Sequence, residues 1–223
     1  MVTGAGRGIG RAVAIRLAAS GYTVIAAART TSEVKATAEF SPRVVAVTAD
    51  VASSDGIGVI AEAADARGAL GVWVNNAAVL EPVPFAEMAP AAWERTLAVN
   101  LGGAFLGCLA AFDRMAGAGG VIVNIASLSG VPNVEKFPGL TAYNVSKAGL
   151  IALTESVALE GRPLGVRCVA LSPGAVDTDM LRRAAPHLHP GVTPEDVAEI
   201  VAFLVRPEAA PLSGSNIPIF SNA

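Results

Sequence analysis

The sequence predicts a doubly wound α/β domain built on a parallel sheet. Two observations carry this. Runs rich in Val, Ile and Ala recur along the chain, and they are continuously apolar rather than alternating, which marks strands covered on both faces. Helical patterns lie between these runs, so strand and helix alternate and each crossover returns to a parallel neighbour. A chain of 223 residues with 52% hydrophobic and 16% charged residues suits one domain with a sizeable core and a subunit interface.

The elements follow in order. Only Met1 and Val2 precede a glycine-rich stretch, TGAGRGIG at 3–10. A central strand usually has about five residues, so the first strand is expected to be truncated. A helix over 8–20 ends at Gly21, a C-terminal stop. Strands are expected at 22–28, 43–49, 71–77, 120–126, 165–171 and 216–220. Helices are expected over 54–67, with Ser54 as cap, over 90–115 as one long helix, and over 141–160, closed by Gly161. The last helix, 193–205, opens with a Thr193 cap and Pro194 in its first turn. Residues 183–194 form the clearest irregular stretch.

Composition excludes several classes. The net charge is -3 and no long basic block occurs, so nucleic acid is not an expected partner. Cys108 and Cys168 are scattered, sit in apolar contexts and form no framework, which reads as small core residues in a reduced, cytoplasmic protein. The first 28 residues carry arginines at helical spacing and four glycines, a poor signal peptide. The apolar stretch 96–112 holds Asn100 and glycines and ends on Asp113 and Arg114. A buried or interface helix explains it better than a membrane span, and no membrane partner is expected. His187 and His189 lack a cluster of other ligands, so no metal site is expected. Trp73 and Trp93 read as core or interface anchors.

The glycine stretch has a physical reading. A diphosphate needs backbone N–H groups close by and the positive end of a helix, and side chains would block that approach. Gly4 would make the tight turn, Gly8 would allow close approach, and Gly10 would let the helix pack on the sheet; Arg7 and Ile9 belong to the same loop. This points to a dinucleotide. At the end of the second strand, a carboxylate would hold a ribose 2′-hydroxyl and repel a 2′-phosphate. The chain instead has Ala28 and then Arg29, and a guanidinium suits a phosphate. Arg7 adds a second positive charge. NADP(H) is therefore the expected cofactor, with NAD(H) as the second choice.

Tyr143 and Lys147 stand four apart in YNVSK, on one face of a helix. A phenol is a poor acid–base at neutral pH, and a nearby ammonium favours the phenolate and lowers its pKa. Ser127, after a strand in NIASLSG, offers a hydroxyl to a substrate oxygen. Asn100 lies in an apolar helix where an unpaired amide is costly, so a bound partner is expected, such as a water feeding protons to Lys147.

Taken in chain order, TGAGRGIG, Asp50-Val51, NNAA at 75–78, VN at 99–100, NIAS, YNVSK and SPGAVDTDM at 172–180 resemble the short-chain dehydrogenase/reductase family over nearly the whole chain. The resemblance implies a Rossmann-type fold and hydride transfer at a nicotinamide. It implies Tyr143 as the acid–base and Lys147 as the residue that binds the nicotinamide ribose and tunes the tyrosine. Ser127 would orient the carbonyl, and Asn100 would complete a proton relay. Asp50 and Val51 would meet the adenine, Asn75 a ribose with Ala77 beside it, and Val176 and Thr178 the carboxamide. It also implies a homodimer or homotetramer paired through the long helices near 90–115 and 141–160.

The chain departs from the family pattern at its short first strand and at Ala78, where a glycine is usual. It also has a longer Ser127-to-Tyr143 loop and a short segment after 180. Substrate-facing segments are expected at 127–142 and 177–193. A short lid suits a bulky or carrier-bound substrate, or loose selectivity. The expected activity is reduction of a ketone to a secondary alcohol with NADPH, a 3-oxoacyl group being one candidate substrate. The alternatives are oxidation of a secondary alcohol and, in another class, a non-catalytic NADPH-binding sensor or scaffold.

Overall fold

The structure is a computed structural model and describes residues 1–220. Seven strands form one parallel sheet in the order β3-β2-β1-β4-β5-β6-β7. They are β1 (Val2–Thr3), β2 (Val24–Ala28), β3 (Val44–Thr48), β4 (Val72–Asn75), β5 (Gly120–Ile125), β6 (Val166–Pro173) and β7 (Asn216–Ile219). The connecting helices are α1 (Gly8–Ala19), α2 (Thr31–Ala38), α3 (Ser54–Asp65), α4 (Pro90–Leu97), α5 (Gly103–Met115), α6 (Thr141–Gly161), α7 (Asp179–Ala184) and α8 (Pro194–Leu204). This is the single-domain, doubly wound Rossmann-type arrangement that the apolar runs predict. The two cores explain those runs. Val13, Leu17, Val201 and Leu204 of α1 and α8 cover one face, and Ile60, Trp73, Met115 and Ile122 pack on the other.

β1 has two residues, yet it lies at the centre. Val2 pairs with Ala26 on one side and Val74 on the other. Backbone bonds extend the pairing at both ends: Val74 N–H donates to Met1 O at 2.9 Å and Ala5 N–H to Ala27 O at 3.0 Å. The Met1 amine donates to Val72 O at 2.8 Å. Burial without a counter-charge pulls that amine down to about 5. The strand order reverses between β1 and β4, the crevice where open α/β sheets bind ligands.

Four local readings are corrected. Helix α2 was not foreseen, because its buried face holds only Val34 and Thr37, too little for a periodic apolar signal. Helix α7, a short turn of six residues, was also not expected; it precedes the irregular stretch 183–194 and overlaps only its first two residues. The cap of α3 is Ser53, whose hydroxyl accepts from Gly56 N–H at 3.0 Å, not Ser54. The long helix over 90–115 is two α-helices joined by a π-helical turn, Ala98–Gly102. By length and composition Pro90–Met115 could cross a membrane; in the fold it packs against α3, α6 and β4.

Candidate active site

A cavity of about 1010 Å³ opens at the switch point. Its first wall is the loop from β1 to α1. Gly4 and Gly8 have φ of +63° and +53°, the left-handed region where a side chain is strained. A Cβ on Gly4 would lie 2.8 Å from Ala77 Cα, and one on Gly10 would lie 2.4 Å from Gly4 O. The loop is therefore a bare backbone cradle leading into the N-terminus of α1, which fits a diphosphate. Arg7, Gly8 and Ile9 line the cavity, as do Ala28 and Arg29 where β2 ends. Gly10 sits below the loop against Gly4.

The opposite wall carries the polar set. Ser127 follows β5 in extended conformation, and its Oγ accepts from Ser129 N–H at 3.1 Å. That leaves the Ser127 proton for another acceptor, and the hydroxyl favours the ionised form of the Tyr143 phenol. Tyr143 and Lys147 share a face of α6, with Lys147 Nζ 5.6 Å from the tyrosine ring centre. Nζ donates to Ile125 O at 2.7 Å, and the lysine is 2% exposed. Val176 and Thr178, before α7, complete the rim.

The electrostatics differ from the expectation. Burial pushes the Tyr143 phenol up to about 12, against a smaller downward pull from Ser127. Burial pulls Lys147 down to about 8. Desolvation is the largest cause of both shifts, and the phenol is not lowered toward neutrality as its neighbouring lysine led one to expect. The resting pair is a neutral phenol beside an ammonium close to its titration point.

Three of the residues expected at the site are occupied elsewhere. Asn75 is 4% exposed and lies inside the fold: its Nδ2 donates to Ala104 O at 3.3 Å and to Asn124 Oδ1 at 2.9 Å. The cavity is lined instead by Asn76, whose Nδ2 fastens the loop through Thr3 O and Gly4 O at 2.9 and 3.2 Å. Asp50 is exposed; its Oδ1 accepts from Ala52 N–H at 3.0 Å, while Val51 and Ala77 line the cavity. Asn100, in the π-turn, has protein partners rather than an orphan amide. Its Oδ1 accepts from Val79 N–H at 2.8 Å, and its Nδ2 donates to Val79 O at 2.9 Å and Ser146 Oγ at 3.1 Å. π-Turns of this kind recur at functional sites.

Sequence reasoning missed two features. Glu33 of α2 lines the cavity and escaped notice with its helix. His187 is exposed as expected, but its ring meets Phe137 edge-on at 6.3 Å, joining the two substrate-facing segments. Cys108 and Cys168 are buried as expected, and Trp73 is fully enclosed.

The comparisons agree with this geometry. A family profile described as short chain dehydrogenase matches residues 1–188. The chain is 34% identical over 237 residues to 3beta-hydroxysteroid dehydrogenase 1 of Eggerthella lenta, covering 97% of this chain and 90% of that one. It is 34% identical over 245 residues to human (3R)-3-hydroxyacyl-CoA dehydrogenase, covering 98% and 92%. Among solved structures it resembles 3-ketoacyl-(acyl-carrier-protein) reductase of Brucella melitensis, complexed with NADH. The TM-score is 0.90 at 29% identity, over 97% of this chain and 94% of that one. A glycine cradle at the switch point, a serine, tyrosine and lysine on the facing wall, and relatives spanning nearly the whole chain lead to one assignment: the chain belongs to the short-chain dehydrogenase family and is an oxidoreductase acting on CH–OH or C=O groups.

Proposed function

We propose that this chain reduces a ketone to a secondary alcohol with NADPH as the preferred cofactor. The observation that carries the reading is the gathering of Ser127, Tyr143 and Lys147 on one wall of the cavity whose other wall is the glycine cradle. When bound, the cofactor supplies a hydride to the carbonyl carbon. Ser127 donates a hydrogen bond to the carbonyl oxygen and fixes its place. Tyr143 gives that oxygen its proton; a phenol held near 12 stays in the acid form at neutral pH. Lys147 holds the nicotinamide ribose, and its charge favours the phenolate that remains. Asn100, bonded to Ser146 on α6, positions the helix that bears the pair.

Ala28, Arg29 and Arg7 support the preference for a 2′-phosphate, and the presence of Val51, Ala77, Val176 and Thr178 in the cavity lining supports contacts with the adenine, ribose and carboxamide ends. Leu128, Val134, Phe137 and Leu188 give the substrate end an apolar wall. That wall suits a carbonyl on a large apolar or carrier-bound group. The hydroxyacyl-CoA and ketoacyl-carrier relatives support a 3-oxoacyl substrate. The reverse direction, alcohol oxidation, has in its favour the relatives named as dehydrogenases of hydroxysteroid and hydroxyacyl groups. Exposed Phe105 and Leu109 on α5 and Val145 and Leu159 on α6 support assembly as a homodimer or homotetramer. The reduced, buried cysteines support a cytoplasmic location.

Direct titration with NADPH and NADH, followed by a ketone panel, tests the reading. Tight NADPH binding with turnover is the expected result. Tighter NADH binding overturns the cofactor preference, and binding of neither overturns the reading.

A further inference from the structure

The absence of a carboxylate at the end of β2 is a fact of sequence, but not of the site. Helix α2 brings one there from a different position. A Cβ on Gly6 would lie 3.1 Å from Glu33 Oε2 and 3.4 Å from Ala28 Cβ. The carboxylate of Glu33 and the side chain of Ala28 thus flank the same point of the glycine loop, where the argument for a 2′-phosphate looked for empty or positive space. Glu33 also engages the loop's own cation, with Arg7 donating to Glu33 Oε1 at 3.3 Å.

The placement is built rather than incidental. Thr37, one turn beyond Glu33 on the same face of α2, donates to Ala5 O at 2.9 Å. Arg11 donates to Thr37 Oγ1 at 3.2 Å and to Gly6 O. Together these bonds pin α2 against the loop. The pattern Thr30-Thr31-Ser32-Glu33 would suit a capping box at the start of α2, yet Thr30 makes no side-chain cap bond. Glu33 turns to the loop instead.

We propose that Glu33 is a specificity-determining residue of the cofactor site, opposing a 2′-phosphate and offering an acceptor to a 2′-hydroxyl, so that the choice between the two nicotinamide dinucleotides is set by Glu33 against Arg7 and Arg29. This rests on the dinucleotide reading given above. A carboxylate in this place repels a second anion and engages one of the two guanidiniums that would hold it. It is also a good acceptor for a ribose hydroxyl. The wild-type chain accordingly accepts both cofactors, with its preference for NADP(H) held down.

The test is calorimetric titration of NADP⁺, NAD⁺ and the fragments 2′,5′-ADP and ADP into wild type, Glu33→Gln, Arg7→Ala and the double variant. In Glu33→Gln the affinity ratio shifts toward the 2′-phosphorylated ligands by about tenfold. The shift is smaller in the Arg7→Ala background, because part of it passes through Arg7. A ratio unchanged within about twofold, or a shift toward NAD⁺, overturns the proposal while leaving the dinucleotide reading intact. Failure of wild type to bind any of the four overturns both. Glu33 is a partly exposed surface position, and a melting temperature close to wild type verifies that each variant is folded.

Discussion

Helix α6 carries two polar clusters, one buried and one at the cavity wall, and they obey different rules. Toward its middle, Thr154 closes a chain that begins at Trp73. The indole donates to Asn75 Oδ1 at 2.7 Å, Asn75 to Asn124 Oδ1 at 2.9 Å, Asn124 to Thr154 Oγ1 at 2.9 Å, and Thr154 to Leu150 O at 2.8 Å. Every member is neutral and its hydrogen bonds are made within the protein. Near its start, α6 holds Tyr143 and Lys147, which are ionisable and displaced from their ordinary pKa values by burial. The first cluster lowers the energy of the fold. In the second the desolvated Lys147 ammonium raises it, and a displaced titratable group beside a cavity signals function. Polarity alone does not separate the two; ionisability does, since a desolvated neutral amide costs far less than a desolvated charge.

Four experiments bear on this contrast. The largest effect is expected for Tyr143→Phe. Turnover should fall by about a thousandfold or more, with cofactor affinity and melting temperature near wild type; near-normal turnover would remove Tyr143 from the chemistry. Asn124→Leu should do the converse. It strands Asn75 and Thr154, costs about 3 kcal/mol, and lowers the melting temperature by roughly 6–12 °C, while turnover per folded molecule stays within a few-fold. A variant inactive but fully stable would break the contrast.

Lys147→Met sharpens it. Turnover should drop by about a hundredfold, cofactor affinity should weaken, and thermal stability should hold or rise, because a desolvated charge is removed. A marked loss of stability would show that the bond to Ile125 O matters more than the burial of the ammonium.

The smallest effect lies in pH. The folded pKa of Lys147, about 8, is below its ordinary 10.5. The unfolded chain therefore binds more protons between those values, and stability from this group rises as pH climbs from about 8 to 10.5. Turnover should fall earlier, as pH rises through about 8 and the folded protein loses the Lys147 ammonium. The Met1 amine, held near 5 against 8.0, adds a rise in stability between those two pH values by the same sign. Chemical denaturation at stepped pH measures both; a flat profile from 8 to 10 would show that Lys147 is not desolvated.

Much of this was legible in the residues. Continuous apolar runs set the strands of the parallel sheet because both faces are covered. Glycines in the first loop announced a backbone cradle, and YNVSK placed two side chains on one helical face, all from local chemistry with fixed periods. What needed the fold depended on which way a side chain faces and what meets it from far along the chain. Asn75 and Asn76 are neighbours in sequence, yet Asn75 ends a strand with its amide in the core while Asn76 turns to the cavity. Asn100 met its partners in Val79 and Ser146, which are distant in sequence. Glu33 reached the glycine loop from a helix with almost no apolar stripe. Periodicity is a property of one segment and is written in its residues. The electrostatics of a site arise where segments meet, and only tertiary packing brings Glu33 to Arg7 and buries Lys147 beside Tyr143.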